Sequence, residues 1–142
     1  MKPTVAVPES HRDLLERPIH AVLATMLPSG FPQAQPVWCG FDGTHVLIST
    51  TLERAKGRNM AARSLATILV VDPDDTTRWI EIRGDVEITA AGAVELADQL
   101  TRAYTRHEHY YGGVFPAEQQ HRETRIVCRI RPTRVNLDAI HR

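Results

Sequence analysis

Arg78–Thr89 reads RWIEIRGDVEIT, and its period of two decides the fold class. Trp79, Glu81 and Arg83 alternate with Ile80 and Ile82. Successive side chains of a strand point to opposite faces, so this pattern predicts one long, half-buried strand. Gly84 interrupts it, and a glycine inside a strand marks a bulge or bend. Immediately upstream, ATILVVD (Ala66–Asp72) has the apolar run of a buried strand, and PDDTT is a loop. Immediately downstream, AAGAVELADQLTRAYTRH (Ala90–His107) has helical spacing, with Val94, Leu96, Ala97, Leu100 and Tyr104 available for one face. EHYYGGVFPAEQQHRE reads as a loop with one helical turn, and TRIVCRIRPTRVNLDA (Thr124–Ala139) as one or two closing strands.

The first half of the chain has the same character. Ser10 is placed to cap a short helix, HRDLLER, which Pro18 stops. IHAVLATML (Ile19–Leu27) is a short buried strand, and Pro28-Ser29-Gly30 a tight turn. In FPQAQPVWCGF (Phe31–Phe41), Gln33, Gln35, Val37 and Cys39 share one face, while Pro32, Ala34, Pro36 and Trp38 share the other. Two prolines confine this segment to a sheet edge. Asp42-Gly43 is a hairpin turn, and THVLISTT is its returning strand. Glu53 to about Ser64 reads as a helix capped by Thr50 or Thr51. Strands joined by tight turns favour antiparallel pairing. Six or so strands with few helices predict a single mainly β domain spanning 1–142, a small barrel with peripheral helices.

The 142 residues carry 17 basic and 17 acidic side chains, so a global nucleic-acid footprint is not expected. Cys39 and Cys128 are isolated and suit neither a metal site nor a disulfide framework. His107 and His109 with His121 supply no marked third metal ligand, so no metal is expected. No apolar run approaches a membrane span and the N-terminus lacks a signal-peptide core, which predicts a cytoplasmic protein.

Against that neutral background, STTLERAKGRNMAARS (Ser49–Ser64) concentrates Arg54, Lys56 and Arg58 where a strand passes into a helix. Free N–H groups and the positive dipole end of a first helical turn attract anions. Arg54 and Arg58 are four apart and are expected on one helix face. Lys56 would approach from another side as a compact point charge. The hydroxyls of Thr50 and Thr51 and the Asn59 amide add donors, and the set suits a phosphate. The same run also suits a solvated helix face. No GxxxxGK[ST] or GxGxxG is present, so the usual phosphate-loop and dinucleotide motifs do not apply.

Three stretches taken in order, VLATMLPSGFPQAQPVWCGFDGTHVLIST, ERAKGRNMAARSLATILVVD and RWIEIRGDVEI, resemble the pyridoxamine 5′-phosphate oxidase-like split-barrel superfamily of flavin and deazaflavin oxidoreductases. The resemblance covers roughly residues 14–135, and RAKGRN before ATILVV resembles the branch that uses the deazaflavin F420. It implies a split β-barrel homodimer with the cofactor in a cleft at the dimer interface. Arg54, Lys56 and Arg58 would hold the cofactor phosphate. Ser49, Thr50 and Thr51 would line the same groove. Gln35, Pro36, Val37 and Trp38 would run beside the ring, with Trp79 near the groove. F420 carries an oligoglutamate tail, for which Arg63 and Arg78 are candidate cations; FMN is the alternative cofactor. The implied activity is hydride transfer from reduced F420 to an unsaturated small molecule. An FMN oxidase or reductase and a non-catalytic flavin- or haem-binding module are the alternatives. Tyr110-Tyr111-Gly112-Gly113 reads as a loop over a pocket, Cys39 as packing, and no side chain declares itself as a catalytic acid or base.

Overall fold

The computed structural model describes residues 1–138. Ala139, the expected end of the last strand, lies outside them. The strands β1 (Ala21–Met26), β2 (Pro32–Val37), β3 (Gly40–Phe41), β4 (Val46–Thr51), β5 (Leu65–Val71), β6 (Trp79–Thr89) and β7 (Arg125–Leu137) form one antiparallel sheet in the order β2-β1-β5-β6-β7-β4-β3. Its two edges, β2 and β3, are neighbours in sequence, joined only by Trp38 and Cys39. So short a connection spans about 10 Å at most, so the opposite edges of a seven-stranded sheet must come close together. The sheet therefore curls into a split barrel. The expected edge placement of the proline-bearing segment holds. That segment is two strands rather than one, because it leaves one edge of the sheet and joins the other.

The long strand carries the curl. β6 pairs with β5 on one side and β7 on the other. A register shift falls between Arg83 and Gly84, opposite Pro132. At Gly84 a Cβ would overlap the Arg131 carbonyl oxygen and sit 2.8 Å from its carbon, so the bulge admits only glycine. Inward residues of the alternating strands close the core: Leu23, Ile48, Ile68, Val70, Ile80, Ile82, Cys128 and Ile130 are all essentially inaccessible. Leu14 and Leu15 of α1 (Asp13–Glu16) and Met60 of α2 (Ala55–Ala62) join the same core.

The third helix, α3 (Ala93–Tyr104), packs on the outer face of the sheet. Ala93, Leu96 and Leu100 meet Val127, with Trp38, Leu47 and Tyr104 around them. Tyr104 pins the curl. Its hydroxyl accepts from Cys39 N–H at 3.2 Å and donates to the Ile19 carbonyl at 2.8 Å, while its ring stacks on Trp38 at 5.3 Å. The start of β1, the crossover between the edges and α3 are thus held at one point.

Two expected caps differ from the structure. The Ser10 hydroxyl bonds to the His11 ring 2.8 Å away instead of capping, and α1 begins later. α2 begins at Ala55, with Arg54 as its N-cap residue in extended conformation. Thr50 and Thr51 stay in β4 as fully buried residues, and their hydroxyls have no hydrogen-bond partner among the described residues. Strand pairing with β7 competes with capping there and wins, because Thr50 and Thr51 lie opposite Ile126 and Arg125.

Candidate functional site

On the outer face of β4 and β7, between the sheet, α3 and the first turn of α2, lies a cavity of about 400 Å³. Ser49, Arg54, Lys56 and Arg125 line one part of it. Pro36, Val37, Trp38, Ala97, Leu100 and Val114 supply apolar wall, with His20 and Tyr110 also on the lining.

The cations converge for local reasons. Arg54 is the extended residue before α2 (φ −83°, ψ 153°), so the four-residue helical spacing to Arg58 does not apply. Arg54 and Lys56 line the cavity together, whereas Arg58 is exposed and donates to the Glu53 carbonyl. This reverses the expectation that Arg54 and Arg58 share a face with Lys56 apart. Gly57 lets α2 approach β4: a Cβ there would overlap the Thr51 carbonyl oxygen. The Asn59 amide, expected near the anion, is buried and donates to Thr25 and Gln33 at 3.1 Å each, tying α2 to β1 and β2.

Arg125 is the cation that the sequence patterns did not single out. It opens β7 opposite Thr51, and pairing alone carries it to the end of β4. Its side chain is 6% exposed. Nε donates to the Tyr111 hydroxyl at 3.1 Å, and the terminal nitrogens donate to Ser49 Oγ at 3.2 Å and Glu123 Oε2 at 2.8 Å. The Tyr110 ring lies over the guanidinium at 4.4 Å, and the Tyr110 hydroxyl accepts from Arg54 at 3.3 Å. The only signal available in sequence was an arginine in register with the end of β4, and register is invisible until the strands pair.

Charge in this cavity is unbalanced. Burial, then the positive charges of Arg54 and Arg125, depress the Lys56 ammonium below its ordinary value. Lys56 makes no ion pair among the described residues. Burial opposes ionisation of Glu123, but hydrogen bonds with Tyr111 and Arg125 outweigh it and hold the carboxyl low. Three cations therefore line the cavity, while Glu123, the carboxylate bonded to Arg125, lies off its lining.

The remaining candidates lie elsewhere. Gln35 is half-buried on β2 and does not line the cavity, although its neighbours Pro36, Val37 and Trp38 do. Thr50 and Thr51 are buried in β4 and do not reach the lining. Trp79 sits on the outward face of β6, in a separate hollow with Leu69, Val71 and Glu81. Arg78 is bound by Asp13 at 2.5 Å and Asp72 at 2.9 Å, so it is not free for a polyanionic tail; Arg63 is exposed at the end of α2. His109 lies 3.3 Å from Asp98, and no metal-ligand group of three or more forms among the described residues. Burial raises the Cys39 and Cys128 thiols to about 11 and 12, so neither is an activated nucleophile.

Fold and cavity agree with the comparison that decides the family. The family model for pyridoxamine 5′-phosphate oxidase matches residues 7–138. The chain belongs to the pyridoxamine 5′-phosphate oxidase family. This family member is 33% identical to a solved F420 reductase, covering 92% of its own chain and 98% of that one, with a TM-score of 0.76. A conserved hypothetical protein from Mycobacterium tuberculosis superposes with a TM-score of 0.68 at 21% identity, covering 96% of this chain and 88% of that one. A putative pyridoxamine 5′-phosphate oxidase from Listeria innocua does so at 0.68 and 16%, covering 91% and 95%. The latter two establish the split-barrel fold alone. No curated protein matches the chain. As a pyridoxamine 5′-phosphate oxidase family member it has the architecture of the flavin-type oxidoreductases, and no helix among its described residues is long and apolar enough to cross a membrane.

Proposed function

We propose that this chain is a reductase that uses the deazaflavin F420, with the cavity between β4, α2 and α3 as the cofactor groove. The observation that carries the proposal is the excess of positive charge at one part of a cavity whose other walls are apolar and aromatic. The donor set fits a flavin-type phosphate. Lys56 lacks a counter-ion among the described residues, and a bound phosphate would relieve the repulsion that Arg54 and Arg125 exert on it. Trp38 and the aliphatic side chains offer surface to a flat ring system. The 33% identity with an F420 reductase over nearly both whole chains supports F420 over other members of the class.

Bound there, the reduced cofactor would supply hydride chemistry. The chain's own part is binding and orientation. Arg54 and Lys56 hold the anion. Trp38, braced by Tyr104, fixes one wall of the groove. The aliphatic side chains of Ala97, Leu100 and Val114 exclude water and leave room for an unsaturated, largely apolar acceptor.

FMN is the second reading, and one observation favours it. Arg78 is committed to Asp13 and Asp72, which removes a cation from the F420 tail. Parallel titrations with F420 and FMN separate the two. Tight F420 binding, with oxidation of its reduced form by a test acceptor, supports the proposal; tight binding of FMN alone replaces it. Lys56→Ala should weaken the bound cofactor by about 1.5–3 kcal/mol, the scale of a hydrogen bond to a charged group. Unchanged affinity would remove the cluster from the cofactor site. We also infer a homodimer, because Val22, Leu69, Val71 and Trp79 form an apolar patch beside Glu81 on the outward sheet face that a second copy can cover. Light scattering should give twice the chain mass at micromolar concentration, and a monomer would refute it.

A further inference from the structure

We propose that Arg125 is a third ligand of the anion and that Glu123 sets the strength of the site by competing for it. The inference rests on reading the cavity as an anion site, and it adds a residue and a control to that reading.

Three features separate Arg125 from an ordinary buried ion pair. First, its partners leave it incomplete. A guanidinium has five N–H donors. Among the described residues Tyr111, Ser49 and Glu123 take three of them, leaving one N–H on each terminal nitrogen. An arginine only 6% exposed with two donors to spare is costly unless a ligand uses them. Secondly, it lines the same cavity as Arg54 and Lys56. Two further cations beside a structural salt bridge would weaken the fold, whereas around an anion they act together. Thirdly, its plane is fixed before any ligand arrives. Tyr110 covers one face at 4.4 Å, Tyr111 holds Nε, and Tyr111 also donates to Glu123 at 2.6 Å. A fork held in one orientation loses little entropy on binding a two-oxygen acceptor.

Glu123 then has two effects. It holds Arg125 in place through a bond of 2.8 Å, and its negative charge cancels part of the field that an incoming anion feels. The two effects predict opposite results when only the charge is removed. Glu123→Gln keeps the side-chain length and an oxygen acceptor for Arg125 and Tyr111, but it deletes the competing charge. If Arg125 faces the anion, anion binding becomes several-fold tighter while the melting temperature falls or holds. A purely structural pair gives lower stability with unchanged or weaker binding.

The test uses calorimetric titration of the full chain with inorganic phosphate at low salt, then with F420 and FMN, for wild type, Lys56→Ala, Arg125→Gln and Glu123→Gln. Thermal melts run alongside. We expect Arg125→Gln to weaken binding by roughly tenfold or more, as loss of a charged hydrogen bond does, and to flatten the dependence on salt. We expect Glu123→Gln to tighten it. If Arg125→Gln binds like wild type while Lys56→Ala is weakened, Arg125 is structural, the proposal falls and the cavity reading stands. If neither substitution changes binding, the cavity reading fails and the proposal with it. If Arg125→Gln does not fold, Glu123→Gln decides: tighter binding sustains the proposal, and equal or weaker binding overturns it.

Discussion

Gly57→Ala ought to destabilise this protein even though it replaces a glycine inside a helix. In an exposed helix the change would stabilise by about 1 kcal/mol, because alanine is the better helix former. Here α2 passes so close to the end of β4 that a Cβ at residue 57 would overlap the Thr51 carbonyl oxygen and sit 2.9 Å from its carbon. Both atoms are backbone, and Thr51 is fixed by pairing with Arg125. No rotamer change relieves the contact, so the helix must move away from the sheet. Overpacking of this kind costs about 1–3 kcal/mol, and a rigid obstacle puts it at the upper end. The net expectation is a loss of about 2 kcal/mol, which for a chain of this size lowers the melting temperature by roughly 5–8 °C. Urea and thermal unfolding of the two proteins measure it directly. The same displacement shifts Arg54 and Lys56, which lie three positions and one position before Gly57, so cofactor affinity should fall along with stability. A Gly57→Ala protein that melts at or above wild type would refute the reasoning, since helix propensity would then outweigh the close approach.

Tyr104→Phe keeps the ring stacked on Trp38 but leaves the Ile19 carbonyl and the Cys39 N–H without their partner. Urea unfolding should show a loss of about 1–3 kcal/mol, the cost of stranded buried groups, with Trp38 fluorescence little changed. Asp13 supplies the pH prediction: a hydrogen bond from Arg78 is the main cause that holds its carboxyl at about 2, below the ordinary 3.8. A depressed carboxyl contributes stability above its unfolded value and loses it as pH falls towards the folded one. Asp13→Asn should therefore be less stable than wild type at neutral pH, and the gap should close as pH falls from about 4 to about 2. Acid-unfolding curves that stay parallel through that range would count against the Arg78 pairing.

Much of the architecture was already legible in the chain. Alternation in Trp79–Thr89, the helical spacing of α3, the Asp42-Gly43 hairpin and the edge prolines are local patterns, and each reflects forces acting between residues close in sequence. Gly84 as a bulge was equally readable, because only glycine tolerates the approach of the Arg131 carbonyl. Part of the candidate site was legible for the same reason: Arg54 and Lys56 lie in one short run and face one cavity. What tertiary structure alone decided is which neighbours each residue meets. Whether Arg54 counts as helical is settled by how long β4 stays paired, and that moved Arg58 off the cavity. Arg78 and Asn59 carried suitable chemistry, but residues far along the chain claimed it first, Asp13 and Asp72 for one and Thr25 and Gln33 for the other. Arg125 entered the site through strand register, 71 positions after Arg54 in the numbering, with no local signal to mark it. Periodicity is a property of neighbours in sequence and can be read there, whereas the convergence of charges is a property of pairing and curl, and only the closed sheet fixes it.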